Sequence, residues 1–259
     1  MEQAIEQNQV KIRKQSDDII RWEQEEVLLL ARHFQKLNKV ENSETWYYTR
    51  ANIFEMNESD IETLNTITDI QSIRVYMSIS GDDKNRFTFH PIIKIIYCDM
   101  SVEKEVKFTL EAKYQSPKIS NISNTDVDDG GTQVPKIFAE MIWTNWNNIE
   151  DNLIDDLFVA KDETTKMLTR VIFYDASSEF VLNLFNNTLK NNIERFIVYP
   201  GVDMNKFQNR NMISFTPVIG VVPEEEVKTE AILRHGIMEF TDEEIFIEYL
   251  TPCPPTCPK

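Results

Sequence analysis

Apolar residues recur at helical spacing along the start of the chain. Ile5, Ile12 and Ile19 stand seven apart and lead into Trp22, Val27, Leu30, Phe34 and Leu37, a stripe that a helix places on one face. The spacing predicts one long helix over residues 3–38, within an N-terminal segment 1–40. Its first half is thin in apolar residues, which suits a seam against another helix better than a place in a core. Ile5, Ile12, Ile19 and Trp22 are therefore candidate interface positions.

Beyond residue 40 the period changes. The run from Trp46 to Phe54 is rich in strand formers, and Ser59-x-x-Glu62 has capping-box spacing ahead of a short helix carrying Ile61, Leu64 and Ile67. Ile73, Val75, Met77 and Ile79 then alternate with polar neighbours, Gly81-Asp82-Asp83 turns the chain, and Arg86 to Tyr97 returns as a strand. The same order reappears after Pro135. A helix carries Phe138, Met141, Ile142, Trp146 and Ile149, and Met167 to Tyr174 reads as a strand. Asp175 or Ser177 caps the next helix, and Ile193 to Tyr199 with Asn211 to Val222 form the closing pair.

The two copies can be set in register. Arg170 lies 120 positions after Arg50, Arg195 lies 121 after Arg74, and Pro217 lies 126 after Pro91, so the added length falls between the last two markers. A proline in a strand implies an edge position or a bulge, because it donates nothing to the ladder. The fold class read from this pattern is α+β. Two similar helix-strand-helix-strand-hairpin modules, an internal duplication, pack as a pseudo-dimer behind a long N-terminal helix. The expected organisation is a helix at 1–40, a first module at 41–115, an acidic linker at 116–133, a second module at 134–228 and a C-terminal segment at 229–259.

Charge narrows the partners. The formal net charge of −16 is spread over both halves of the 259 residues, a field that repels phosphate backbones and anionic membranes, so neither nucleic acid nor a membrane is expected as a partner. The N-terminus alternates charges and amides with no apolar core, which is unlike an export signal, and three cysteines make no disulfide framework. A cytoplasmic setting follows as the expectation. Arg50, Arg74, Arg170 and Arg195 recur at equivalent places and are expected to pair with carboxylates.

Candidate chemistry is sparse. Asn124-x-Asp126-x-Asp128 resembles the start of a calcium loop, but the sixth and twelfth positions are Asp129 and Pro135 where glycine and glutamate are needed. Cys253 and Cys257 can form a reversible redox pair, while a zinc site would need two more ligands. His33, His90 and His235 have no adjacent nucleophile or metal-ligand spacing, and six glycines leave little material for a phosphate loop. No cofactor, metal or catalytic group is assigned. Trp46, Tyr47, Tyr48, Trp143 and Trp146 are read as core aromatics or as anchors for a partner.

The order Arg74-Val75-Tyr76, the turn at Gly81, the proline-bearing strand to Ile96 and the tail Leu250-Thr251-Pro252-Cys253-Pro254-Pro255 together resemble small uncharacterised proteins of bacteroidete bacteria. Those have a helix, an α+β unit and a Cys-Pro-Pro end. The likeness covers about residues 20 to 97 and the last ten, implies a bacterial cytosolic setting and carries no activity; the duplication departs from the usual single unit. The function expected is a non-enzymatic protein-binding or assembly component, with a protein partner or a homo-oligomer. The alternatives are a small-molecule sensor or enzyme with a site at the junction of the modules, and an acidic inhibitor or immunity-type protein.

Overall fold

The duplication is visible in the strand topology. The computed structural model describes residues 14–24, 27–116, 134, 136–161, 167–224, 244–248 and 250–253. The first half contains helix α1 (14–24), a 3-10 segment (Val27–Phe34), β1 (Gln35–Lys39), β2 (Trp46–Arg50), β3 (Ile53–Glu55) and α2 (Glu58–Asn65). It continues with β4 (Ile70–Tyr76), β5 (Ile92–Asp99), β6 (Val102–Thr109) and β7 (Glu111–Lys113). The second half repeats that order through α3 (Lys136–Asn148), a 3-10 turn (Asp151–Leu153), α4 (Ile154–Leu157), β8 (Val159–Lys161), β9 (Leu168–Arg170) and β10 (Phe173–Asp175). It closes with α5 (Glu179–Asn183) running into a π turn (Leu184–Thr188), β11 (Ile193–Val202), the additional α6 (Met204–Phe207), β12 (Phe215–Pro223), β13 (Ile245–Ile247) and β14 (Thr251–Cys253).

The fold is mixed α+β with two antiparallel five-stranded sheets. One has the order β14-β10-β4-β5-β6 and the other β7-β3-β11-β12-β13. Exchanging each strand for its counterpart in the other half turns the first order into the second. Each sheet therefore draws three strands from one half and two from the other, so the halves are interleaved rather than set side by side. The two-stranded ribbons β1-β2 and β8-β9 repeat as well. Even the register irregularities recur, between Ile70 and Ser72 in β4 and between Ile193 and Arg195 in β11.

Side chains hold this exchange from both directions. Asn65, at the end of α2, donates to the Ile193 carbonyl and accepts from its amide. Asn186, in the π turn, does the same to Ile70. Each asparagine thus satisfies both backbone groups where a strand of the opposite half begins, and one residue type supplies donor and acceptor together. Both preceding helices are capped alike: Asn57 accepts from the Asp60 amide and Ser178 from the Val181 amide. The caps differ from the expected Ser59 and Asp175 or Ser177. Ser59 lies inside the first turn, and Ser177 accepts instead from the Ile73 amide of β4.

The core is an aromatic stack with the same symmetry. Trp22 and Trp146 are fully buried; their indole N–H groups donate to the Val171 and Ala51 carbonyls at 2.8 and 2.9 Å. Arg170 donates to the Trp22 carbonyl and lies over its ring, and Arg50 does both to Trp146. Phe34 and Phe158 stack at 5.6 Å, and each meets the opposite tryptophan edge-on, Phe34 with Trp146 at 5.0 Å and Phe158 with Trp22 at 5.1 Å. Fully burying one such ring contributes on the order of 3 kcal/mol.

Three expectations need correcting. The stripe from Val27 to Leu37 is not α-helical: the His33 carbonyl accepts from Thr88 and Phe89 and the Phe34 carbonyl from Ala51, so these acceptors serve extended segments before β1 forms on the aromatic strand β2. Helix α1 is instead the counterpart of α3, which brings it inside the repeat. Nor does a strand proline mark an edge: β12 is an interior strand, and Pro217 faces Pro200 across the β11 pairing with no bulge there. Two prolines opposite one another cannot exchange amide hydrogens, so they form a non-hydrogen-bonded pair. Their ring nitrogens then point away from each other, and on the far side of β12 the pairing with β13 begins only at Ile219. Pro91 lies just outside β5.

Candidate functional site

A groove of about 1240 Å³ lies beside the β1-β2 ribbon. One wall is the ribbon, contributing Gln35, Lys36, Asn38 and Tyr47 to Arg50. The other is the run Thr109 to Tyr114 through β7, with Phe87, Phe89 and His90 between them; Asn147, Asn148 and Asp151 from the second half close one end. The groove therefore sits where the halves meet. Its aromatic character comes from the strand pairing: the five residues of β2 pair only with β1, which leaves Trp46, Tyr47 and Tyr48 at 52%, 49% and 57% exposure. The aromatics singled out by sequence thus divide. Trp146 is core and Trp143 is half-buried with its indole on the Asn52 carbonyl, while the β2 trio faces outward.

Groove electrostatics run against the chain as a whole. Lys36, Arg50, Arg86 and Lys113 line it against Glu111 and Asp151, on a chain of net charge −16. Arg50 is fixed by Asp151, Arg86 pairs with Asp83 and Lys113 with Glu55. Of the recurrent arginines, Arg74 meets Asp175, Arg195 meets Glu55 and Arg50 meets Asp151. Burial pushes the Glu55 carboxyl up, but hydrogen bonds from Lys113 and Arg195 outweigh it and hold the pKa below its ordinary value.

His90 brings a second kind of chemistry to the groove. Its Nε2 lies 3.3 Å from the buried Asp18 carboxylate, which also faces Arg21 at 3.5 Å. Gln15 of the same helix donates to Thr109, and Ser78 donates to the His90 carbonyl. The pair sets an imidazole backed by a carboxylate into the groove lining. Nothing in the sequence linked these residues, because Asp18 reads as one more charge on a polar helical face. His33, expected on a charged helix, is buried, with Nδ1 at 2.8 Å from the Thr88 hydroxyl.

Of the proposed interface positions, Trp22 is fully buried in the core and Ile19 is half-buried, while Ile5 and Ile12 lie outside the described residues. Cys253 is disulfide-bonded and Cys98 is free; Cys257 lies outside the described residues. The calcium-like stretch from Asn124 also falls outside them. Among the described residues no group of three or more His, Cys, Asp or Glu side chains is placed to hold a metal, and no helix is long and apolar enough to cross a membrane.

One further acidic site was not foreseen. Glu244 lies over β12 at Gly220, where a Cβ would meet its Oε1 at 2.0 Å. Tyr199 donates to its other oxygen at 3.2 Å. Burial raises the pKa of both groups, more than the nearby Arg195 and Lys136 lower that of Glu244. In comparisons with known proteins the chain matches no family model, no curated protein and no solved structure.

Proposed function

We propose that this chain is a non-enzymatic binding protein that holds a partner in the groove beside the β1-β2 ribbon. The observation that carries the reading is the pairing of outward tyrosines, Tyr47 and Tyr48, with a cationic lining on an otherwise acidic chain. Tyrosine and arginine are the side chains that most often dominate binding energy at interfaces. Because the groove is built from elements of both halves, duplication and binding belong to one design: the interleaved sheets give a rigid frame, and the ribbon presents the contact residues.

A second reading is a small-molecule sensor or enzyme at the same junction. It is favoured by His90, which lines the groove with Asp18 behind it. The two are separated by comparing the full chain with a Tyr48→Ala, Arg86→Glu variant and with His90→Gln in extracts of the source organism. Binding predicts a bound species that the wild type retains and the double variant loses, with circular dichroism unchanged and His90→Gln without effect. Turnover of a small molecule by the wild type, abolished in His90→Gln, would overturn the binding reading in favour of the second.

A further inference from the structure

Resting on that binding reading, we infer that the groove takes an acidic polypeptide segment in extended form, added as a new strand along the free edge of β7. β7 ends the order of its sheet. Glu111, Ala112, Lys113 and Tyr114 all line the groove in succession, whereas a strand turned face-on would offer alternate residues only. The groove therefore runs along the strand edge, where backbone groups have no partner strand among the described residues.

The counterpart strand shows which backbone group is available. In β14, Pro252 faces Tyr174 as Ala112 faces Phe54 in β7. A proline within a sheet is tolerated on an edge strand when its nitrogen faces away from the ladder. Position 252 therefore marks an outward-pointing nitrogen, and at the same place Ala112 presents an N–H that Pro252 lacks. One edge is closed by proline and the other is open, which is how proteins permit or prevent strand addition.

Charge selects the occupant. The lining carries four cations against two carboxylates, and Lys36 has no carboxylate within ion-pair reach among the described residues. Main-chain pairing along β7 supplies affinity for any extended segment, while Lys36 and Arg86 favour acidic side chains and reject basic ones. The volume of about 1240 Å³ also exceeds the range of ordinary small-molecule pockets, roughly 300–1,000 Å³, and suits a stretch of polymer.

The test is fluorescence anisotropy of the full chain with a short fluorescein-labelled peptide alternating glutamate and valine. The same peptide N-methylated at alternate amides, a lysine-valine peptide and polygalacturonate serve as comparisons. The acidic peptide should bind; the N-methylated and lysine peptides should not. Ala112→Pro should weaken binding about tenfold or more with an unchanged melting curve, since the fold already accommodates proline at Pro252. Lys36→Glu with Arg86→Glu should weaken it similarly. No binding of the acidic peptide, equal binding of the N-methylated or lysine peptide, or indifference to Ala112→Pro would each overturn strand addition. Polygalacturonate binding that Ala112→Pro leaves intact would replace it with simple polyanion recognition, and the binding reading would survive. Retention of the native partner by the Tyr48→Ala, Arg86→Glu variant, or turnover that His90→Gln abolishes, would remove that reading.

Discussion

Set against each other, the ribbons β1-β2 and β8-β9 share the same arginine, but only the first carries the exposed aromatics. Arg50 and Arg170 each cover a buried tryptophan of the opposite half, but where the first ribbon exposes Tyr47 and Tyr48 the second exposes Met167 and Leu168. The cluster beneath them differs in the same sense. Asp18, Ser78 and His90 in the first half correspond to Ile142, Gly201 and Thr216 in the second. There, a Cβ on Gly201 would meet Ile142 at 2.8 Å, so helix α3 sits directly on β11. Positions that hold strands and helices together are preserved in kind across the copies, and positions that face the groove are not. Packing constrains both halves equally, whereas recognition needs to be built only once.

The strongest way to break this comparison is to cut the chain between the copies. A protease site inserted between Ser116 and Val134 and then cleaved should leave one species on size-exclusion chromatography with an unchanged circular dichroism spectrum. Each sheet contains strands of both pieces, so separating them requires unfolding both sheets. Denaturant should therefore separate the fragments in the same transition that removes secondary structure. Separation before that transition would mean that the sheets are not shared in the way their strand order states.

Substitution within the core tests equivalence more finely. Trp22→Ala and Trp146→Ala each delete a fully buried ring and orphan the carbonyl that received its N–H. Each should cost about 3–5 kcal/mol in urea unfolding, and the two values should agree within about 1 kcal/mol, the ordinary spread for one substitution type in two similar sites. Tolerance of Trp22→Ala would return that residue to the role of a surface contact on a detachable helix.

Much of this was legible in the sequence because the duplication left matched markers. Arg50 and Arg170 marked equivalent positions, and Arg74 and Arg195 marked equivalent strands but stand two residues apart in register, since the counterpart of Arg74 is Ile197; the insertion before Pro217 corresponds to α6. What stayed hidden depends on distance. The exchange of β3 with β10 and of β7 with β14 is a choice between pairing partners of identical local pattern, and periodicity within a strand is blind to that choice. The stripe from Val27 to Leu37 has helical spacing, but tertiary pairing with β2 and the Thr88–Phe89 segment overrides it. The groove was half visible: the tyrosines were noted, while Asp18 behind His90, Ala112 at the place that Pro252 takes in the other sheet and the exposure of β2 are all consequences of long-range contacts.

The smallest expected effect lies at two equivalent carboxylates, Glu55 and Asp175, whose arginines stand at different register positions: across the sheet Glu55 faces Ile197, whereas Asp175 faces Arg74. Glu55 meets Arg195 and Lys113, each at 2.7 Å, whereas Asp175 meets Arg74 at 3.5 Å, and the position matching Lys113 holds Cys253. Glu55 therefore gains two cations where its counterpart gains one. Because its folded pKa lies below the ordinary 4.5, its contribution is fully present above about that pH and is lost as the pH falls through the folded value. Arg195 and Lys113 are about half exposed, at 50% and 49%, so solvent screening limits the gain to about 1 kcal/mol or less. Glu55→Gln should lower stability by that amount at neutral pH and flatten the fall in melting temperature on acidification below 4.5, while Asp175→Asn should cost less. Thermal melts from neutral to acid pH measure both. An equal loss from the two substitutions would show that the added lysine contributes nothing, and that the copies have diverged in the groove without diverging in what the ion pairs behind it contribute.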